Sequence, residues 1–372
     1  MKILIDARLY GTENTGLGRY VLNLVNRLAV NDKKNEYIIL LRKKYFKSLR
    51  LPASWQKVLC DIPHYSLTEQ ISLPKIISDL KPDLTHFPHF NVPIFYSKPF
   101  IVTIHDILMH RQKGLAATTL PAPAYLIKRI GYHRVFKHAV EASVKIIVPS
   151  QFVRQEILGY YKVSPDKVVV TYEGFDEKIR NVLSQDKVLA KYGLKQPYFV
   201  YAGNAYPHKN LAKLIEAFAN LGGRAQLAIV SARNVFAQRL EKLVYDVKAE
   251  GTVHLLGFVP DEDLGVLYAA STAFVFPSLS EGFGLPGLEA MATGTLVLAS
   301  KIAVLKEVYQ DNAIYFNPHE ASSIQKTVQL CLDINKRRRR ERIEKAKKFA
   351  KRYSWDKMAR ETLAIYEDCP GI

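Results

Sequence analysis

Short runs of apolar and β-branched residues recur along the chain, with longer stretches of helical periodicity between them. In the first half they fall at Lys2–Ala7, Tyr37–Arg42, Leu84–His89, Phe100–Asp106, Val144–Ser150 and Lys167–Tyr172. This alternation predicts strands of a parallel α/β sheet joined through helices. The rhythm restarts at Tyr198–Gly203 and continues through Gln226–Ser231, Val253–Phe258, Ala273–Ser278, Leu296–Ser300 and Ala313–Asn317. The expected fold class is α/β, with two Rossmann-like, doubly wound domains.

Between the two sets of runs, Glu173–Pro197 is charged and broken by Gly174, Gly193 and Pro197, a composition that suits a linker. The expected division is therefore a first domain over 1–178, a linker over 179–197 and a second domain over 198–352. A last amphipathic helix, Trp355–Tyr366, lies within 353–372 and is expected to pack back on the first domain. Asn210 reads as a helix cap before Leu211, Leu214, Ile215 and Phe218, whose spacing marks a half-buried helix. The basic run that starts at Lys336–Arg342 and reaches Arg352 reads as a solvated charged face.

With 372 residues and 48% apolar content the chain is long enough for two cores. Its opening lacks the pattern of a signal peptide, and no run approaches eighteen apolar residues, so a soluble or peripheral cytoplasmic protein is expected. Cys60, Cys331 and Cys369 are too few and too scattered for a disulfide framework or a zinc site. The net charge is +18, and residues 1–180 hold 27 Lys/Arg against 15 Asp/Glu, which is +12 of it. Such a balance points to an anionic partner, with nucleic acid, acidic lipid and phosphorylated substrate all open. One stretch suits lipid: in Pro121–Val140, Tyr125, Leu126, Ile130 and Phe136 alternate with Lys128, Arg129, Arg134 and Lys137. Apolar anchors among cations fit an anionic membrane face at the inner side of the membrane, and an ordinary basic surface helix over the core fits equally.

Four segments carry candidate chemistry. In Ser278–Gly294, Glu281 and Glu289 have seven residues between them, and Gly282, Gly284 and Gly287 punctuate the turn. A helix starting near Gly284 would offer free N–H groups and a positive dipole end to a diphosphate, with the glycines permitting close approach. One carboxylate would then reach sugar hydroxyls and the other a ribose diol. In Tyr201–Asn210, Gly203 and Asn204 follow a strand, and Lys209 is a compact cation suited to a leaving diphosphate. The glycine loop Thr15–Tyr20 holds Gly16, Gly18 and Arg19, for which a plain turn and a binding loop weigh equally. His105 and Asp106 end a strand, where open α/β sheets bind ligands, although a lone His is by itself more often structural. The string Asp261–Asp263 matches a metal-binding Asp-x-Asp, but after Pro260 it reads as an acidic first helical turn.

These four segments, with Val148–Ile157, Gly257–Leu264 and Tyr353–Tyr366, resemble the retaining glycosyltransferases of family 4, of GT-B fold, over nearly the whole chain. The resemblance implies two Rossmann-like domains with an interdomain cleft, a nucleotide-sugar co-substrate and neither metal nor other cofactor. It implies that His105 contacts the donor sugar, supported by Asp106, and that Glu281 contacts the sugar and Glu289 the ribose. Amides around Phe283, Gly284, Leu285 and Pro286 would hold sugar and diphosphate. The family usually adds an arginine where this chain has Asn204, which leaves the second phosphate partner open. The opening Ile5–Leu24 and Gly203–Asn210 look most like bacterial mannosyltransferases of surface-polysaccharide assembly, implying GDP-mannose ahead of a UDP-sugar and a glycan or lipid-linked acceptor. Two rivals stand beside this reading. A nucleotide-sugar epimerase could share the donor site. A nucleic-acid-binding protein would explain the charge but leave the glycines and glutamates without a purpose, so no nucleic acid is expected.

Overall fold

The computed structural model describes residues 1–111, 121–175, 184–232 and 235–369. Among the described residues all twelve apolar runs form strands, together with a thirteenth strand that has no such run. The chain divides into two units, Met1–Gly174 with Ser354–Ile372, and Phe175–Tyr353.

In the first unit the strands are β1 (Lys2–Asp6), β2 (Glu36–Leu41), β3 (Gln56–Leu59), β4 (Leu84–Phe87), β5 (Phe100–Thr103), β6 (Lys145–Val148) and β7 (Val168–Val170). They form one parallel sheet in the order β3-β2-β1-β4-β5-β6-β7. The unmarked β3 is the outer strand, polar and partly exposed, so it lacks the buried run that announces a strand. The second unit holds β8 (Tyr198–Ala202), β9 (Gln226–Val230), β10 (Val253–Gly257), β11 (Ala273–Phe276), β12 (Val297–Ser300) and β13 (Ile314–Phe316). Its order is β10-β9-β8-β11-β12-β13, again parallel throughout. Central strands β1, β4, β5, β8 and β11 are almost wholly buried, as parallel strands covered on both faces must be.

The strand order reverses between β1 and β4 in one sheet and between β8 and β11 in the other. Chain leaving neighbouring strands in opposite directions opens a crevice at their carboxyl ends, the usual ligand position in doubly wound sheets. The loops that follow β8 and β11 bring Lys209 and Glu281 to one such place.

The helix Trp355–Glu367 belongs to the first unit, where it packs along the helix Thr15–Asn31. Asn31 Nδ2 donates to Asp356 Oδ1 at 2.9 Å, and Tyr366 Oη meets His86 Nδ1 at 2.5 Å. A side chain at Gly174 would collide with the start of this helix, since a Cβ there would lie 2.1 Å from the Trp355 nitrogen. In the expected linker, residues 179–183 lie outside the described residues. The part from 184 onward holds the helix Gln185–Lys191, whose Val188 and Leu189 are buried.

Two local expectations are corrected. Leu211, Leu214, Ile215 and Phe218 are buried in the helix Leu211–Ala219 as their spacing predicts, but Asn210 does not cap that helix with its side chain. Its backbone is left-handed, φ 59°, and Nδ2 instead donates to the Pro277 and Pro318 carbonyls at 3.1 and 2.7 Å. The residue serves as a brace between three strand-end loops. On the helix Ala122–Ala142, Phe136 is fully buried in the core beside Phe90 and Tyr161, so it is no surface anchor. Leu126, Ile130 and the unmarked Ile127 are exposed, Ile127 by 73%. The helix Lys336–Ala350 buries Ala346, Phe349 and Ala350 and leaves most of its cations in solvent.

Candidate functional site

In the second unit, β11 runs into a glycine-rich turn and the helix Leu285–Thr293 follows at once. Gly284 occupies its N-cap position with φ 109°, a conformation that favours glycine. A Cβ there would also lie 2.7 Å from both Tyr309 Oη and Leu305 Cδ2. Tyr309, fully buried, donates its hydroxyl to the Gly284 carbonyl at 2.5 Å. A Cβ at Gly287 would strike the same tyrosine ring. The phenol thus fixes the loop from beneath the helix start, whose positive dipole end lies at this turn.

Across the crevice, Gly203, φ 154°, follows β8, and the chain passes Asn204 to a short turn, Pro207–Lys209. Tyr201 donates its hydroxyl to the Asn204 carbonyl at 2.8 Å, which fixes the course of this loop. Lys209 Nζ then meets Glu281 Oε1 at 2.6 Å, with both side chains nearly buried at 14% and 11% exposure. The Leu279 amide donates to the His208 carbonyl at 2.8 Å, tying the two loops a second time. Burial, helped by the Lys209 charge, presses the His208 imidazole down to about 4, so it is neutral near pH 7. Phe283 is buried against Tyr353, ring centroids 5.5 Å apart, while Leu285 and Pro286 form the first turn of the helix. Glu289 lies one turn in and is 5% exposed. The second unit therefore brings Gly203, Asn204, Lys209, Glu281, Phe283, Gly284, Leu285, Pro286 and Glu289 to the carboxyl ends of β8 and β11 and the helix that follows.

The remaining candidates are in the first unit. His105 and Asp106 follow β5. His105 Nδ1 lies 2.9 Å from Glu173 Oε1 and Nε2 lies 3.1 Å from the Pro88 carbonyl oxygen. Asp106 is exposed and accepts from the Leu108 amide at 2.9 Å. Gly16, Gly18 and Arg19 lie in the first turns of the helix Thr15–Asn31. Gly16 faces open space, whereas a Cβ on Gly18 would lie 1.9 Å from the Gly11 carbonyl oxygen. Close packing is thus sufficient reason for Gly18.

Sequence reasoning passed over three features. Glu173 opens the charged stretch expected to be a linker, yet it holds His105. Tyr309 sits 25 positions beyond Gly284, with no local signal to tie it there. At the end of β1, Arg8 is buried and donates to both Asp6 oxygens, at 2.7 and 2.6 Å, and to Glu69 Oε1 at 2.7 Å. Burial raises the Asp6 and Glu69 carboxyls, but Arg8 and His64 outweigh it and both end below their ordinary values. The Asp-x-Asp string begins the helix Asp261–Ala270, and Asp263 is held by Lys191 Nζ at 2.6 Å and the Tyr192 hydroxyl at 2.7 Å. Its carboxylate is spent on holding the helix Gln185–Lys191.

Residues 14–178 match the family model Glycosyltransferase Family 4, and residues 184–349 match Glycosyl transferases group 1. An O-antigen chain mannosyltransferase B of Escherichia coli is 30% identical over 99% of this chain and 100% of that protein. The O-antigen chain mannosyltransferase RfbU of Salmonella typhimurium is 27% identical over 85% of this chain and 91% of its own. Among solved structures, sucrose-phosphate synthase from Thermosynechococcus elongatus superposes with a TM-score of 0.76 at 20% identity, covering 98% of each chain. With both sheets, the strand-end loops and these matches in agreement, the chain belongs to the glycosyltransferases of family 4 and has the GT-B fold.

Proposed function

We propose that the protein transfers mannose from GDP-mannose, with retention and without a metal, onto a glycan or lipid-linked acceptor of surface-polysaccharide assembly. The observation that carries this reading is the Lys209–Glu281 pair facing the glycine-capped helix start at the switch point of the second sheet. The names of the two bacterial relatives support mannose and polysaccharide assembly.

Transfer separates charge, since the sugar becomes cationic as its bond to the diphosphate breaks and the diphosphate becomes more anionic. Groups that act only on that developing charge accelerate the step. Lys209 has three N–H donors and can keep Glu281 while binding a phosphate oxygen. The amides of Phe283, Gly284 and Leu285 add dipolar stabilisation on the same anion. Glu281 takes sugar hydroxyls, Glu289 the ribose diol, and His105 with Asp106 serve the sugar from the first unit, which also takes the acceptor.

A panel of GDP- and UDP-sugars tests the donor by thermal stabilisation and by transfer to an acceptor. GDP-mannose at about a hundred times its Kd is expected to stabilise by roughly 2.7 kcal/mol. Stabilisation by UDP-sugars with none by GDP-mannose would overturn the donor, and free epimerised nucleotide sugar formed without acceptor would favour an epimerase.

The place of action proposed is the cytoplasmic face of an anionic membrane. Leu126, Ile127 and Ile130 are exposed on a helix that also carries Lys128, Arg129, Arg134 and Lys137. Such a face inserts shallowly and gains from each cation near anionic lipid. Among the described residues no helix is long and apolar enough to cross a membrane. Co-sedimentation is expected with anionic vesicles and not with neutral ones, and Ile127→Asp should weaken it. Indifference to lipid charge would remove the membrane from this reading.

A further inference from the structure

His105 is bonded at both ring nitrogens, and both partners are acceptors: a Glu173 carboxylate oxygen at 2.9 Å and the Pro88 carbonyl oxygen at 3.1 Å. A neutral imidazole has one N–H and one bare lone pair, so it satisfies only one acceptor. The doubly protonated ring satisfies both. The surroundings agree with that form. Glu173, at the end of the loop after β7, is 6% exposed, and its neighbour Gly174 is pinned by the backbone of Ser354 and Trp355. Asp106 adds a second negative charge from the end of β5. Tyr20, on the helix Thr15–Asn31, stands edge-on to the ring with centroids 4.7 Å apart and is held neutral by its burial. His86 on β4 and His89 just beyond it are pushed down to about 3 by burial and by the positive charge of His105, so neither competes as a cation. Burial acts against charge on His105 itself, but the Glu173 bond and charge, the Pro88 carbonyl and Asp106 outweigh it and raise the ring above its ordinary value.

We propose that Glu173 is a positioning residue that holds His105 as a doubly protonated imidazolium, a fixed hydrogen-bond donor and not a proton acceptor. This rests on the transferase reading only for what the cation is used for. Substrate would take the Nε2–H in place of the Pro88 carbonyl while Glu173 keeps Nδ1–H. The ring could then donate to an oxygen of the donor but could not deprotonate the acceptor hydroxyl.

Two measurements test it. In the first, the His105 ring is followed by NMR against pH, assigned by its loss in His105→Ala. For a raised folded value the charge is full below the ordinary pKa of about 6.5 and is lost as pH rises through the folded value. The ring is expected to titrate above 6.5, and Glu173→Gln to lower that midpoint by about 1–3 pH units. In the second, the transfer rate of the wild-type enzyme is expected to fall as pH rises through the same midpoint. Glu173→Gln should move this alkaline limb down by the same amount, and Glu173→Asp should restore part of it. A His105 that titrates below 6.5 in the wild type overturns the proposal even if Glu173→Gln does not fold. So does a midpoint unmoved by Glu173→Gln, or a rate that rises with pH through that midpoint. A lowered midpoint in a protein that transfers no sugar supports the imidazolium and overturns the transferase reading alone.

Discussion

Lys209→Ala is expected to reduce turnover at saturating donor by about one to two powers of ten. A hydrogen bond from a charged donor contributes roughly 1.5–3 kcal/mol, and each 1.4 kcal/mol of lost transition-state stabilisation slows the step tenfold. Asn204 carries no charge, so Lys209 is the cation of this loop that faces Glu281. Removing the lysine also leaves Glu281 nearly buried without its ammonium partner, which adds a donor-binding defect. Glu281→Ala and the double variant complete a cycle in which the two losses should fall well short of additive, because the side chains act as a pair. Lys209→Arg is not expected to rescue, since a planar fork presents its donors differently from a compact ammonium. Steady-state kinetics with saturating donor compares all four variants with the wild type. If turnover in Lys209→Ala stays near the wild-type value, the phosphate role falls, and Arg19→Ala becomes the variant to examine.

Arg8→Ala is expected to give the largest loss of stability. The guanidinium is buried among Asp6, Glu69 and the Ile62 carbonyl, and Glu69 also accepts from Asn91 Nδ2 and the Tyr65 amide, each at 2.7 Å. Taking away one partner of a buried ion cluster strands the others and typically costs 3–5 kcal/mol, about 6–20 °C in the melting midpoint of a domain near two hundred residues. Both carboxyls have lowered folded values in the wild type. Their contribution is therefore present above the ordinary carboxylate range and lost as pH falls below about 4. The stability gap between wild type and Arg8→Ala should therefore narrow in acid. Calorimetry at pH 7 and at about pH 3 measures this, and a loss under about 1 kcal/mol at pH 7 would show that the cluster is not a net stabiliser.

Much of the architecture was legible in the chain because buried parallel strands write themselves as apolar runs. Twelve strands, the helix opening at Leu285 and the apolar stripe of Leu211–Ala219 all follow from local pattern. The polar outer strand β3 has no such run and was not marked, and Phe136 looked like a surface anchor because a stretch of alternating rings and cations does not say which rings face inward. The glycine-rich turn and its glutamates were visible because a phosphate corner needs small residues and a helix start in one short segment. What the tertiary structure decided is which distant groups meet. Lys209 and Glu281 stand 72 positions apart and are joined only by the reversal of strand order between β8 and β11. Glu173 is 68 positions from His105, Tyr309 is 25 from Gly284, and Asn210 braces carbonyls 67 and 108 positions away. Local pattern reports burial and turn chemistry, which depend on neighbours in the chain. Charge state, bracing and pairing depend on neighbours in space, and those are set by sheet topology.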